Sequence, residues 1–162
     1  MATPNPTKLP TELLIETASP TATAALGERL AAVARPGDLI CLWGELGAGK
    51  TVLAKGVGAG LGTSTVVASP SFILMAEHAG RLPLFHIDLY RLASAQDVLD
   101  GGLLDERQAA GLTLIEWPER LGDALPATRL DVRFDVAGET RRRIVIKAVA
   151  PGLERYLDAA RA

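Results

Sequence analysis

The spacing of apolar positions changes several times along the chain, and each change marks an element. Leu39-Ile40-Cys41-Leu42-Trp43 is an unbroken apolar run after Asp38, the pattern of a strand buried on both faces. Leu112-Thr113-Leu114-Ile115 reads the same way, ended by Glu116-Trp117-Pro118. Leu130, Val132, Phe134 and Val136 alternate with charged residues. Beyond the Ala137-Gly138 turn, Ile144, Ile146 and Ala148 alternate again, which predicts a half-exposed hairpin. Ile73-Leu74-Met75 and Leu82 to Ile87, joined through Ala79-Gly80, predict an antiparallel pair. Leu13-Leu14-Ile15 predicts a peripheral strand.

Helical spacing begins at Ser19. Its side chain suits a cap, Pro20 suits the first turn, and Leu26, Leu30 and Val33 share one face before Arg35-Pro36-Gly37 stops the run. A second helix starts at Lys50 and closes around Gly58 to Gly62. Ser94 caps a short third helix through Leu99, ended by Gly101-Gly102, and a last helix follows Gly152. Buried strands alternating with helices predict an α/β fold: a three-layer sandwich with parallel core strands and antiparallel additions.

Between the first buried strand and the second helix stands Gly44-Glu45-Leu46-Gly47-Ala48-Gly49-Lys50-Thr51, a complete G-x-x-x-x-G-K-[ST] phosphate-binding loop in its strand–loop–helix context. A triphosphate is strongly anionic. A tight loop can aim successive backbone N–H groups at it only where side chains stay out of the way, which is the use of the glycines. The helix start adds unpaired N–H groups and a positive dipole end. Lys50 is expected to reach the β- and γ-phosphates, and the Thr51 hydroxyl to hold Mg²⁺. The fold class therefore sharpens to a P-loop NTPase-like sandwich, with residues 11–162 as a single ATPase domain and the proline-containing residues 1–10 as a flexible arm.

Such a loop needs an acidic partner at the end of another buried strand. Asp88 ends the run Leu84 to Ile87, and Glu116 ends Leu112 to Ile115. Parallel strands flanking the loop strand would bring both carboxylates to one sheet edge. There one would hold Mg²⁺ while the other orients the attacking water, and the spacing does not say which is which. Trp117 reads first as a core residue. His78 and His86 have no metal-ligand spacing and read as structural or surface residues. Arg141-Arg142-Arg143 reads as a solvated strand face, with RNA or partner contact as the sharper option.

Composition narrows the setting. The chain has 162 residues, 48% of them hydrophobic and 22% charged, and its net charge of −2 gives no whole-protein electrostatic case for direct nucleic-acid binding. Cys41 is the only cysteine, so no intrachain disulfide is possible and a buried structural thiol is expected. The N-terminus lacks an apolar segment of signal length, and no stretch approaches the roughly eighteen apolar residues of a membrane span, so a cytoplasmic protein is expected.

The phosphate loop, Ser69-Pro70-Ser71-Phe72, His86-Ile87-Asp88-Leu89-Tyr90-Arg91-Leu92 and Ile115-Glu116-Trp117-Pro118-Glu119 occur in that order. In this combination the chain resembles the TsaE (YjeE) family, the bacterial ATPase subunit of tRNA threonylcarbamoyladenosine synthesis, from about Thr23 to the C-terminal hairpin. The resemblance implies that Lys50 and Thr51 bind the phosphates and Mg²⁺ of ATP, that Glu116 joins the metal's coordination, and that Asp88 is needed for hydrolysis. It puts Trp117 at the nucleotide site, against the core-first reading, and residues near Pro20 to Thr23 beside the adenine. Ser69 to Phe72 becomes a switch-like loop that responds to the γ-phosphate; Ser71 stands where the family usually has Thr, and the hydroxyl is kept. The implied partners are TsaD, which transfers a threonylcarbamoyl group to the adenosine beside the anticodon of tRNAs reading codons that begin with A, and TsaB. Contact with tRNA would be indirect, through that complex.

Three other readings compete. A small-molecule kinase usually carries an arginine-rich lid over the phosphates, and here the nearest basic cluster after the loop is Arg141 to Arg143. A GTPase needs a guanine-reading Asn/Thr-Lys-x-Asp string, and none of the four lysines is followed two places on by Asp. A nucleotide-dependent scaffold with negligible turnover remains, because a lone phosphate loop hydrolyses slowly until a partner completes it.

Overall fold

The computed structural model describes residues 11–65, 67, 75–91, 96 and 106–162. The arm expected at 1–10, the loop Ser69-Pro70-Ser71-Phe72 and the expected strand residues Ile73 and Leu74 lie outside the described residues, and of the helix expected at 94–99 only Gln96 lies within them.

Among the described residues seven strands form one sheet: β1 (Glu12–Thr17), β2 (Leu39–Trp43), β3 (Met75–His78), β4 (Leu84–Asp88), β5 (Leu112–Glu116), β6 (Leu130–Val136) and β7 (Arg142–Ala148). Their order is β1-β7-β6-β2-β5-β4-β3. The four central strands β6, β2, β5 and β4 run parallel. Strands β7, β1 and β3 are antiparallel to their neighbours. This is the parallel core with antiparallel additions that the apolar pattern predicts. The first strand of the C-terminal hairpin is itself part of the core, because Leu130, Val132 and Phe134 are buried beneath the helices. Strand β2 is therefore flanked by β5 and β6, and Asp88 reaches the edge one strand further out, beside Glu116.

Helix α1 (Pro20–Ala32) starts where its sequence signal stands: the Ser19 hydroxyl accepts from Ala22 N at 3.1 Å, and Pro20 occupies the first turn. Helix α2 (Lys50–Leu61) ends on Gly62 in the left-handed conformation. The two helices cross in very close approach. A Cβ on Gly56 would stand 2.0 Å from the Ala24 carbonyl oxygen, and one on Gly27 would stand 2.4 Å from that of Leu53. Glycine is a poor helix former, costing about 1 kcal/mol against alanine, and here the cost is offset by backbone-to-backbone packing. Leu26, Leu30, Leu53 and Val57 then bury fully against Ile40, Leu42, Leu114 and Val132 of the sheet. Each such side chain contributes about 1.5–3 kcal/mol.

Helix α3 (Arg155–Arg161) packs beside α1 and is fastened at the start of β2. The Arg155 guanidinium and the Tyr156 hydroxyl both donate to the Asp38 carboxylate. Burial, then that bond to Asp38, raises the Tyr156 phenol above its ordinary range. On the opposite face of the sheet, a smaller cluster of Leu39, Cys41, Ile87, Leu89, Ile115 and Leu121 is closed by the 3-10 segment Pro118–Ala124. Cys41 is fully buried, and burial followed by the nearby Asp131 pushes its thiol up to about 12, so it is the inert structural thiol expected. Among the described residues no helix is long and apolar enough to cross a membrane.

The Gly56 contact makes a stability prediction. Gly56→Ala should cost about 1–3 kcal/mol through overpacking, which lowers Tm by about 2–4 °C per kcal/mol in a chain of this size. Calorimetric unfolding that leaves Tm unchanged, or raises it, would mean that α1 and α2 do not approach this closely.

Candidate nucleotide site

At the C-terminal edge of the parallel strands, β2 runs out of Trp43 into the glycine loop, and α2 begins at Lys50. Gly47 (φ 80°) and Gly49 (φ 109°) adopt backbone conformations that a side chain would strain. The Gly49 carbonyl already accepts from Leu53 N at 3.0 Å. The first amides of α2 therefore face the loop's concavity without intrahelical partners, as at any helix start. Glu45 and Leu46 are exposed at the tip, Leu46 to 77%.

Lys50 turns back into this concavity. It is only 5% exposed, its Nζ donates to Gly44 O at 2.6 Å, and the same ammonium stands 3.6 Å from the centroid of the Trp117 ring. Burial pushes its pKa below the usual lysine value, while Glu116, Glu119 and Asp88 pull it back up. Trp117 holds this position through an unusual backbone: at φ 60° it is the one non-glycine residue with positive φ among the described residues. Its ring also packs 4.9 Å from that of Tyr90 and touches the smaller core cluster. It is thus a core-edge residue and a neighbour of Lys50 at once.

Thr51, on the first turn of α2, sets its Oγ1 3.4 Å from Glu116 Oε1. Glu116 is 3% exposed, and its other oxygen, Oε2, lies 2.6 Å from His86 Nε2. Asp88 is the register partner of Glu116 on β4, and its carboxylate accepts from Tyr90 N at 2.9 Å. Lys50, Thr51, Asp88, Glu116 and Trp117 are therefore brought to one corner of the sheet edge. Among the described residues there is no cluster of three or more His, Cys, Asp or Glu able to hold a metal. A hard cation here would lean on the Thr51 hydroxyl, the Glu116 carboxylate and oxygens of a bound phosphate, which suits Mg²⁺.

Pro20 and Thr23 lie on the other side of the loop. With Gly47, Gly49, Val52 and Arg142 they line a cavity of about 100 Å³. The Thr23 hydroxyl points inward, bonded to Thr17 Oγ1 at 2.8 Å and Ser19 O at 3.3 Å, so it serves the start of α1.

Two residues play parts that the sequence did not reveal. His86, read as structural or surface, is fully buried against Glu116; the available signal was a lone polar residue inside an apolar strand, two places before Asp88 and so on the same face. The second is Arg142, read with its neighbours as a solvated strand face. Arg141 and Arg143 are indeed exposed, but Arg142 is half-buried. Its Nε donates to Ala48 O at 2.9 Å, a second nitrogen reaches Gly47 O at 3.4 Å, and the third bonds the hairpin-turn carbonyls of Gly138 and Arg141 at 3.0 and 2.9 Å. One guanidinium thus ties the back of the phosphate loop to the hairpin.

Residues 17–144 match the profile of the family "Threonylcarbamoyl adenosine biosynthesis protein TsaE". The chain is similar to the tRNA threonylcarbamoyladenosine biosynthesis protein TsaE of Bacillus subtilis (strain 168), at 39% identity over 91% of this chain and 92% of that protein. It is also similar to the protein of the same name from Streptomyces coelicolor, at 42% identity over 83% of this chain and 93% of that one. Among solved structures, Bacillus subtilis YdiB superposes with a TM-score of 0.77 at 33% identity, covering 93% of this chain and 94% of that chain.

The Arg142 tie is open to test. Arg142→Ala should loosen the loop without unfolding the sheet, so the amides of Ala48 to Lys50 should exchange with solvent about tenfold faster, the equivalent of about 1.4 kcal/mol, while β2 and β5 amides keep their protection. Hydrogen exchange that finds the loop amides unchanged would remove Arg142 from the loop's support.

Proposed function

The chain belongs to the TsaE family of threonylcarbamoyl adenosine biosynthesis proteins, with a P-loop-like nucleotide-binding fold, and from that premise we propose that it is the ATP-hydrolysing subunit of a tRNA-modifying complex. The observation that carries this reading is the convergence of Lys50 Nζ, Thr51 Oγ1 and the Glu116 carboxylate beside the glycine loop. A purely structural glycine turn has no use for a buried lysine facing a buried carboxylate.

In this reading the loop amides of Gly44 to Thr51, Glu45, Leu46 and Ala48 included, cradle the phosphates of ATP. Lys50 exchanges its bond to the Gly44 carbonyl for the β- and γ-phosphate oxygens. Thr51 and Glu116 hold Mg²⁺, which when bound neutralises charge on the transferring phosphoryl group. Asp88, next to Glu116, orients the attacking water and accepts its proton. Trp117 screens Lys50 from bulk water, which strengthens its pull on the phosphates. Pro20 and Thr23 flank the adenine, whose edge would enter the cavity beside Arg142. Ser69-Pro70-Ser71-Phe72 is the segment proposed to respond to the γ-phosphate.

The proposed partners are TsaD and TsaB. Threonylcarbamoyl transfer to the adenosine beside the anticodon would be theirs, and ATP hydrolysis here would reset the complex between turnovers. Two features support a protein partner over direct RNA contact: the net charge of −2, and exposed apolar side chains at the site's mouth, Leu46, Tyr90 and Val136.

Mixing tests this. The isolated protein should hydrolyse ATP slowly and accelerate when TsaB and TsaD are added. Lys50→Ala should lose ATP binding in calorimetry, and Glu116→Ala should lose turnover by about 10²-fold or more while still binding nucleotide. A flat rate in the full mixture, with ATP binding intact, would favour a nucleotide-dependent scaffold and overturn the hydrolase reading. Phosphoryl transfer to a small acceptor would favour a kinase.

A further inference from the structure

His86 is the most deeply buried titratable side chain beside the site, and nothing in the proposed hydrolysis uses it. It is fully buried, and it sits on the same face of the sheet as Glu116, one strand away: His86 is the register partner of Leu114, two residues before Glu116. The imidazole spans that diagonal, and Nε2 meets Glu116 Oε2 at 2.6 Å. An ionised carboxylate only accepts, so Nε2–H is the donor in this bond. Nδ1 has no partner among the described residues.

From this geometry we infer that His86 is a positioning residue for the Glu116 carboxylate. A glutamate has three rotatable side-chain bonds, and in a buried corner its two oxygens compete for whatever donors are near. With Oε2 held by His86, only Oε1 remains to face Thr51, 3.4 Å away. Lys50, which interacts electrostatically with Glu116, has its ammonium bonded to the Gly44 carbonyl and set over the Trp117 ring, with no hydrogen bond recorded from it to Oε2. Without the imidazole, Oε2 would be buried with no donor, and the carboxylate would turn to find one. His86 thus acts on the cation only through the glutamate, as the outer partners of metal ligands do. The inference rests on the reading in which Thr51 and Glu116 hold the metal of bound ATP.

The test measures Mg²⁺-dependent binding of a non-hydrolysable ATP analogue by calorimetry, with and without the metal. In the wild type, Mg²⁺ should tighten binding. His86→Phe keeps a ring but no donor; it should bind the metal-free analogue as the wild type does and need about tenfold more Mg²⁺ or greater for the same tightening. His86→Gln, whose amide reaches towards Oε2, should recover most of the loss, which a merely structural role would not predict. In the background of Glu116→Ala, His86→Phe should add nothing. Should His86→Phe fail to fold, His86→Asn, too short to reach Oε2, takes its place with the same expected loss. Wild-type Mg²⁺ dependence in the donor-less variant, or a further loss in the Glu116→Ala background, would overturn the inference. Absence of any Mg²⁺ effect in the wild type would instead sink the underlying metal assignment.

Discussion

The site depends on the parallel register of β4, β5 and β2. Because these strands start together and run the same way, their ends fall at one edge: Asp88 beside Glu116, Glu116 beside Leu42, and the glycine loop two residues further on. Parallel strands need crossover connections, so their C-terminal ends are where loops and helix starts gather and where polar groups can collect without crossing the core. Slipping β5 by one residue would turn Glu116 to the opposite face, away from Thr51. The buried apolar side chains of β5 that face α2, Leu112 and Leu114, resist that slip. Core packing and site geometry are in this sense one constraint.

Within that frame the site is held by opposed charges in a poorly hydrated corner. Lys50 and Glu116 are both nearly buried, where electrostatic interactions are stronger than in water and an unpaired charge is costly. Each has its own attendants. Gly44 O and the Trp117 ring face the ammonium; His86 and Thr51 face the carboxylate. Groups aimed in advance in this way need little reorganisation when a charged ligand arrives, which is the source of most electrostatic catalysis. Trp117's left-handed backbone fits the same account. Such a conformation costs about 1–3 kcal/mol and persists where its surroundings enforce it. Here it lets the indole cover Lys50 while the chain turns at once into Pro118.

Much of this was legible in the sequence because it rests on local signals. Leu39 to Trp43, Gly44 to Thr51 and the alternation from Leu130 to Val136 each declare their conformation by period or by motif, and Asp88 and Glu116 were visible as acids closing apolar runs. Relations between distant segments were not. Arg142 bonds Ala48, 94 residues earlier, and no local pattern distinguishes it from the exposed arginines on either side. His86 looked like an isolated polar residue because its partner lies 30 positions away on the neighbouring strand. Trp117 read as core from its hydrophobicity, and only the resemblance to a family moved it to the nucleotide site; its backbone angle and the Lys50 ammonium over its ring show how one residue sits at both places. The place of β6 inside the parallel core was likewise hidden, since alternating hairpin strands look alike whether or not one of them has a second, parallel neighbour.

On the proposed function, the glycine loop and the end of β5 form a single site for a metal-bound triphosphate. Crystals grown with a non-hydrolysable ATP analogue and Mn²⁺ in place of Mg²⁺ test it most directly, because anomalous scattering locates the cation without assumption. One peak is predicted within about 2.0–2.4 Å of Thr51 Oγ1, with Glu116 beside it, the β- and γ-phosphates inside the loop and the Lys50 ammonium moved from Gly44 O to the phosphates. A peak away from both Thr51 and Glu116, or phosphates bound outside Gly44 to Thr51, would contradict it.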